Sequence, residues 1–260
     1  MSEPKVLTER RGATFVVSIN RPDVRNCVDG ETAGLLFEAL QTFTADTSLN
    51  VLILIGAGTQ AFCSGADLKN IQTLNLRPGS RESGPMGISR ITDVGKPAIA
   101  AVNGYCTAGG LELACWCDFR IASRDAQFGV LNRRWGVPLI DGGTQRLPRI
   151  VGLANALYLI DTGVLINAQH ALRMGLVQEF VPEGKTLDRA LEIAEALSGY
   201  PQQAMRNDRR AAIEGVTLPE AEGLKFEMEV HRSSVTDPLM AEWLAKYARG
   251  ERPAPLRPPD

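Results

Sequence analysis

The stretch KPAIAAVNGYCTAGGLELA, residues 96–114, joins a short apolar run to a turn of small residues. Residues 97–102 are continuously apolar, which predicts a strand that is buried on both faces. Asparagine and glycine at 103–104 predict a turn, and after residues 108–110 the apolar side chains have helical spacing. This stretch therefore predicts a strand, a turn and a helix in close succession.

Strands and helices alternate on either side of this unit. Apolar runs predict three further strands, at residues 13–19, 51–55 and 119–122. Residues 29–45 carry apolar side chains at helical spacing, and from residue 154 onward the pattern is helical alone. This order predicts an α/β fold, with an α/β core at residues 1–195 and a C-terminal helical region at residues 196–260.

Two segments have the composition of loops. Residues 70–87 are polar and rich in Gly, Pro and Ser, which predicts a mobile surface loop. Residues 129–143 contain four glycines and one proline and are also predicted to be loop-like.

Charge and composition disfavour several classes of protein. The 260 residues include 28 Lys and Arg against 30 Asp and Glu, so no excess of positive charge predicts binding to nucleic acid or to a membrane surface. No apolar run reaches the roughly 18–20 residues of a membrane span, and no secretory signal is evident, so we expect a cytoplasmic protein. The odd number of cysteines, 5, predicts free thiols, and no His/Cys cluster predicts a metal site.

A second turn of small residues, FCSGADLK at residues 62–69, also follows a predicted buried strand. Small residues let backbone N–H groups approach a ligand closely, and N–H groups at a helix start have no partner within the helix. One N–H group from each turn would suffice to bind a carbonyl oxygen and to stabilise its negative charge as it becomes an enolate. The residues alone leave a second interpretation open, in which both turns only pack.

Five segments, in order, resemble the enoyl-CoA hydratase/isomerase (crotonase) family. The segments are INRPDVRN (19–26), AFCSGADLK (61–69), KPAIAAVNGYCTAGGLELACWCDFRIAS (96–123), AQFGVLNRRWGVPLIDGGTQRLPRIVG (126–152) and DTGVLINAQHALRMGLVQEFVP (161–182). The resemblance implies a spiral of ββα repeats, an acyl-CoA substrate, and C-terminal helices that assemble a homotrimer or a hexamer. It implies no metal and no cofactor other than the coenzyme A of the substrate, and residues 70–87 would line the acyl pocket.

The resemblance also assigns binding roles. Ala66 and Gly109 are similar to the residues whose backbone N–H groups form the family's oxyanion hole for the thioester oxygen. The parts that resemble the coenzyme A site are Val24, Arg25, Ala66, Asp67, Leu68 and Lys69. A second interpretation of Arg25 is a solvated surface side chain.

Glu112 stands where the family's hydratases carry the first of two catalytic glutamates. A glutamate in the first turn of a helix is usually favoured by the helix dipole alone. Here its neighbours are apolar, in the sequence LELACW. Burial would raise the pKa of this carboxyl toward a value useful for general acid–base catalysis. We therefore predict a catalytic role for Glu112.

The second glutamate of the hydratases is replaced by Asn132, which holds a water or a hydroxyl but cannot exchange a proton at neutral pH. Asp141 is the nearest acidic residue able to compensate, and its alternative role is to cap the helix that follows. Arg133 and Arg134 either bind a polar acyl group or pair with Asp141 and lie on the surface.

The predicted function is enoyl-CoA hydration through an enolate stabilised by the oxyanion hole. One alternative is another reaction of the family: isomerisation, decarboxylation or thioester hydrolysis. A third possibility is a protein that binds CoA ligands but has lost hydratase activity together with the second glutamate.

Overall fold

The computed structural model describes residues 3–235, 237–252 and 255–259. These residues form two compact units, one of residues up to Ala194 together with Pro259, and one within Glu195–Pro258. In the described ranges no helix is long and apolar enough to cross a membrane.

Two β-sheets lie in the first unit. Their strands are β1 (Val6–Arg11), β2 (Thr14–Ile19), β3 (Val51–Gly56), β4 (Ala61–Cys63), β5 (Ala98–Val102), β6 (Tyr105–Thr107), β7 (Phe119–Ser123), β8 (Gln127–Gly129), β9 (Ile166–Asn167) and β10 (Glu179–Val181). One sheet has six strands in the order β1-β2-β3-β5-β7-β10, and the other has four in the order β4-β6-β8-β9. The pairs β1–β2 and β8–β9 are antiparallel, and all other pairs within the two sheets are parallel.

Helices follow or connect the strands. They are α1 (Gly30–Ala45), α2 (Ile71–Leu76), α3 (Ser80–Ser83), α4 (Gly109–Trp116), α5 (Gly143–Val151), α6 (Leu153–Thr162), α7 (Ala168–Arg173), α8 (Thr186–Ser198), α9 (Gln202–Gly215), α10 (Glu220–Val235) and α11 (Pro238–Ala248). Short 3₁₀ turns occur at Pro22–Val24 and Leu131–Trp135.

The chain winds as a spiral through the two sheets. The successive pairs β3–β4, β5–β6 and β7–β8 each place their first strand in the large sheet and their second strand in the small sheet. Each pair therefore adds one strand to the large sheet and one strand to the small sheet. This arrangement confirms the predicted α/β class and the spiral of repeated units.

The apolar patterns explain the core of the first unit. Every residue of β3 and β5 is buried, as continuous apolar runs in a parallel sheet require. Helix α1 begins after Asp29, whose carboxylate accepts a hydrogen bond from the Thr32 N–H group, and it buries an apolar face that includes Leu36 and Phe43. All five cysteines are buried free thiols.

Two predictions about secondary structure were wrong. Residues 70–87, predicted as a mobile surface loop, contain α2 and α3, and Leu74 and Met86 in this segment are buried. Glycines at positive φ, among them Gly84 at 92°, allow the tight turns whose composition indicated a loop. The region after residue 154 is not helical alone, because β9 and β10 interrupt it. Strands of two and three residues are too short to show a period.

The second unit is helical, as the composition after residue 195 predicts. Asn207 on α9 is buried, and its Nδ2 atom donates hydrogen bonds to the Val230 carbonyl oxygen at 2.9 Å and to the Ser234 hydroxyl at 2.7 Å on α10. This buried amide fixes the two helices against each other, since each of its hydrogen bonds would be costly to lose.

Candidate active site

A cavity of about 520 Å³ opens where the small sheet, the start of α4 and the 3₁₀ turn Leu131–Trp135 meet. Its wall is mainly apolar. The apolar lining residues include Ile71, Leu74, Met86, Leu131, Trp135, Val137, Ile140 and Leu165. Its polar lining includes the two predicted oxyanion residues and the side chains of Glu112, Asn132 and Asp141. The other polar side chains that line it are those of Arg25, Ser64, Tyr105, Thr107 and Arg134. A mainly apolar cavity with a few convergent polar groups is typical of a site for a small organic ligand.

The backbone pairing of Ala66 leaves its N–H group available. Val28 pairs with this residue as in a parallel sheet: its N–H group donates to the Gly65 oxygen, and its own oxygen accepts from the Asp67 N–H group, both at 2.8 Å. In such a pair the residue between the two bonded neighbours directs its own N–H group away from the partner. Ala66 also lines the cavity, so this free donor is a candidate ligand contact.

Gly109 supplies a second donor because it is the first residue of α4. Ala108 before it has a φ of 53° and a ψ of −127°, a conformation that residues with a Cβ atom rarely adopt. The two turns are in close contact, because a Cβ atom added to Gly65 would lie 2.9 Å from the Gly109 nitrogen. The structure therefore brings the two predicted donors to one end of the cavity.

Glu112 lies in the first turns of α4 and is only 3% exposed. Its Oε1 atom accepts two hydrogen bonds, from the Asp141 N–H group at 2.9 Å and from the Gly143 N–H group at 2.8 Å. A Cβ atom at position 143 would lie 2.9 Å from Oε1, so glycine permits this close approach. Oε2 makes no hydrogen bond within the described part of the chain. One oxygen is thus held in place while the other remains for a ligand.

Burial raises the pKa of Glu112 to about 7, against the lowering effect of the Gly143 N–H group. The negative charge of Asp141 raises this pKa as well, and the Asp141 N–H group lowers it. A carboxyl group with a pKa near neutrality is present in both protonation states, as an acid–base catalyst requires.

Asp141 is 5% exposed and also lines the cavity. Its Oδ1 atom accepts hydrogen bonds from the Met86 N–H group at 3.0 Å and from the Ser89 hydroxyl. Burial raises its pKa, while the Ser89 and Met86 hydrogen bonds lower it. The alternative role as a helix cap was wrong: Gly142 precedes α5, and no side chain caps that helix. Asp141 instead binds the segment after α3 to the wall of the cavity.

Asn132 is 5% exposed in the 3₁₀ turn that borders the cavity. Its backbone oxygen accepts from the Val137 N–H group at 3.2 Å, but its side-chain Oδ1 atom is buried without a partner. Arg133 donates to the Ile160 carbonyl oxygen at 3.2 Å, and Arg134 lines the cavity. Both arginines are exposed, as the second alternative predicts, but neither forms an ion pair with Asp141 in the described residues, so the predicted pairing was wrong.

Of the six predicted coenzyme A residues, three line the cavity: Arg25, Ala66 and Leu68. Arg25 lines the cavity, and its guanidinium group lies 5.2 Å from the centre of the Tyr105 ring. Val24 and Leu68 are both exposed, and Leu68 lines the cavity. Lys69 is exposed, which leaves its ammonium group available to a phosphate.

Asp67 has a different environment. Its carboxylate accepts hydrogen bonds from Arg21 Nη2 at 2.9 Å, Asn70 Nδ2 at 3.1 Å and the Lys69 N–H group at 3.2 Å. This carboxylate therefore stabilises the turn that follows β4, and a contribution of Asp67 to ligand binding would come through its main chain.

Reasoning from the sequence did not single out Met86 and Trp135 as part of the site. Met86 is fully buried, and a Cβ atom on Gly109 would lie 3.1 Å from its Sδ and Cε atoms. Trp135 is 72% exposed although it lines the cavity. Both belong to segments with loop composition. The one available signal was a large aromatic residue three positions after Asn132.

The raised pKa of Glu112 predicts a pH-dependent effect on stability. Its pKa is about 7 in the folded chain, against an ordinary 4.5. Folding therefore favours the protonated form, and the stability that this contributes is lost as the pH rises from about 4.5 through 7. We expect Glu112→Gln to be more stable than the wild type at pH 8 by up to about 3 kcal/mol, with a much smaller difference at pH 5. Urea unfolding of both proteins at the two pH values measures this, and an equal difference at both would contradict it.

Comparisons with known proteins show which family and which solved structures this chain is similar to. Residues 9–250 match the family model described as enoyl-CoA hydratase/isomerase. A protein named probable enoyl-CoA hydratase from Rhizobium meliloti is 36% identical over 95% of this chain and 96% of its own length. The short-chain-enoyl-CoA hydratase of Clostridium acetobutylicum is 36% identical over 86% of this chain and 87% of its own. The crystal structure of enoyl-CoA hydratase EchA1 from Mycobacterium marinum matches with a TM-score of 0.90 and 32% identity, over 97% of this chain and 98% of that one.

Proposed function

The chain belongs to the enoyl-CoA hydratase/isomerase family, and from this premise we propose that it adds water across the C=C bond of a 2-enoyl-CoA thioester. The observation that carries the proposal is the environment of the Glu112 carboxyl group. This carboxyl is buried, has a pKa near 7 and keeps Oε2 without a hydrogen bond in the described residues, in the same cavity that Ala66 and Gly109 line.

The oxyanion hole acts first in the proposed mechanism. The N–H groups of Ala66 and Gly109 donate hydrogen bonds to the thioester oxygen. They draw electron density from the conjugated C=C bond, which makes Cβ electrophilic. When the oxygen of water bonds to Cβ, negative charge develops on the thioester oxygen, and fixed donors in an apolar cavity stabilise it without reorganisation.

Glu112 moves both protons in this proposal. Its carboxylate accepts a proton from water as the C–O bond forms at Cβ, and the resulting carboxylic acid delivers a proton to Cα. The product is a 3-hydroxyacyl-CoA, and Glu112 returns to its starting state. The reaction uses no metal or redox cofactor, and coenzyme A enters as part of the substrate, held by Arg25, Val24, Leu68 and Lys69 and by the backbone of residues 66–67.

Asp141 is a positioning residue in this proposal. Its N–H group holds Oε1 of Glu112, and its negative charge raises the pKa of that carboxyl. One limb of the pH profile of kcat/KM reports the titration of Glu112. We expect Asp141→Asn to move this limb to lower pH. The amide oxygen of asparagine still accepts from Met86 and Ser89, so the change isolates the charge. The control is Asp161→Asn, at an exposed position on α6, and it is expected to leave this limb unchanged. If the limb does not move in Asp141→Asn either, the proposed role of Asp141 in setting the pKa of Glu112 is wrong.

Asp141 also supports a second candidate function. Two buried carboxyl groups in one cavity suit a double-bond isomerase, in which one group removes a proton and the other adds one at a different carbon. Decarboxylation and thioester hydrolysis would use the same oxyanion hole, and a chain that only binds CoA ligands would turn over none of these substrates.

A panel of thioesters distinguishes these functions. Crotonyl-CoA, 3-hydroxybutyryl-CoA, a 3-enoyl-CoA, malonyl-CoA and acetyl-CoA are incubated with the protein and the products are identified by mass spectrometry. The proposal expects a gain of 18 Da from crotonyl-CoA by addition of one water. Turnover of the 3-enoyl-CoA alone would favour the isomerase, and binding without turnover of any thioester would favour the CoA-ligand-binding protein.

We further propose a homotrimer or a hexamer of this chain. Apolar side chains exposed on the helices of the second unit support association, among them Leu224, Met228, Leu239 and Leu244. Sedimentation equilibrium should give three or six times the chain mass of 28.1 kDa.

A further inference from the structure

Arg146, near the start of α5, contacts the turn that holds the Glu112 carboxyl. It is partly buried, and its Nη1 atom donates to the Asp141 carbonyl oxygen at 3.1 Å. Its backbone N–H group donates to the Gly142 carbonyl oxygen at 2.8 Å. The N–H groups of Asp141 and Gly143 in the same turn bind Oε1 of Glu112. One residue therefore binds this turn at two carbonyl oxygens, while two N–H groups of the turn bind the carboxyl.

The guanidinium group of Arg146 lies tightly against this turn. A Cβ atom at Gly142 would overlap with Arg146 Nη1, so glycine at this position makes room for the side chain. Within the described ranges the guanidinium forms no ion pair, and its hydrogen bond goes to a carbonyl oxygen. Burial lowers its pKa, but an arginine keeps its positive charge at neutral pH. This charge therefore stands next to the turn without direct contact to a carboxylate.

Two charged groups act on the Glu112 carboxyl in opposite directions. Burial raises the pKa of Glu112, and the negative charge of Asp141 raises it further. The Gly143 and Asp141 N–H groups and the Arg146 guanidinium lower this pKa, and of these three only Arg146 carries a charge. Cys115, on the same helix, adds no charge, because burial raises the pKa of its thiol to about 11. The charged groups that interact with Asp141 itself are Arg77, Arg90 and Arg146.

We infer that Arg146 is a positioning residue of the catalytic carboxyl: it binds the turn that holds Oε1 of Glu112, and its charge favours the carboxylate. The inference rests on the proposed function, in which this carboxylate accepts a proton from water. Arg146 does not line the cavity, so it acts through Glu112 and touches no reacting atom. A neutral residue at position 146 would still bind the turn through its backbone N–H group. The carboxylate would lose the neighbouring positive charge.

The test compares variants that differ in charge at position 146. Arg146→Gln and Arg146→Met are both neutral, and the second keeps the test available if the first does not fold. Arg146→Lys keeps the charge, and Arg149→Gln removes a charge from an exposed position on the same helix. Proteins with isotope-labelled glutamate carboxyl groups are titrated by NMR, and the Glu112 resonance is the one that Glu112→Gln lacks. This titration needs no substrate. The pH profile of kcat/KM for hydration of crotonyl-CoA is recorded for the same proteins.

We expect the pKa of Glu112 to rise by about 0.5–1 in the neutral variants, and the limb of the pH profile that reports it to move to higher pH by the same amount. This direction is opposite to that expected for Asp141→Asn. Arg146→Lys and Arg149→Gln should keep the wild-type values.

A folded neutral variant with the wild-type pKa of Glu112 would overturn the role of Arg146, even if its kcat were lower. A rise of this pKa by NMR, in proteins of which none hydrates a thioester, would leave the effect of Arg146 on the carboxyl in place. In that case the proposed function itself is wrong.

Discussion

Replacing Glu112 by glutamine is expected to lower kcat for hydration of crotonyl-CoA by about 10²–10⁴-fold, with little change in the affinity for the thioester. Glutamine has nearly the same shape, and its amide oxygen still accepts from the N–H groups of Asp141 and Gly143. It cannot take a proton from water or deliver one to Cα. The loss therefore falls on the chemical step, and the decrease in absorbance of the conjugated thioester measures it.

The control for this variant is Glu38→Gln, a change of the same kind at an exposed position on α1. We expect the kcat of this control to equal that of the wild type. A Glu112→Gln protein that retained more than about a tenth of the wild-type kcat would show that another group moves the protons. In that case the second buried carboxyl, Asp141, would be the first candidate.

The second large effect is expected at Gly65, which lies beside the proposed oxyanion hole but outside the proposed reacting groups. A methyl group there would lie 2.9 Å from the Gly109 nitrogen and 3.0 Å from the Ala108 Cβ atom. Gly65→Ala should therefore displace or cover the Gly109 donor. The loss of one donor of an oxyanion hole lowers kcat by about 10²–10³-fold, and we expect a decrease of this size.

Gly95→Ala separates this effect from backbone strain. Both glycines have positive φ, 99° at Gly65 and 70° at Gly95, but a Cβ atom at Gly95 would meet no atom within 4 Å. Each substitution is expected to lower the free energy of unfolding by about 1 kcal/mol through strain. Only Gly65→Ala should lose activity, and equal kcat values for the two variants would contradict the proposed position of the oxyanion hole.

The parts of the site that the sequence predicts are those with local causes. The continuous apolar run of β5 and the small residues before α4 predict a buried strand, a tight turn and a helix start. The apolar neighbours of Glu112 predict its burial and the direction of its pKa shift. These features depend on residues within a few positions of each other, so they can be derived from one short stretch.

Features with distant causes could not be derived in this way. Asp141 accepts from Ser89 and Met86, which lie 52 and 55 residues away, and only the folded chain brings these groups together. The sequence around Asp141 instead suggested a helix cap. Ala66 is a small apolar residue without a chemical signature, and its free N–H group follows from the pairing with Val28. That role was predicted by resemblance to the family alone.

The contacts that hold Glu112 and Asp141 have a kinetic consequence. They join residues that are between 29 and 55 positions apart, in three separate segments of the chain. Contacts of such separation form only after long loops have closed, later than a local helix such as α1. During refolding, helical circular dichroism should therefore return before hydratase activity does. The appearance of activity then reports the completion of the native topology rather than the formation of secondary structure.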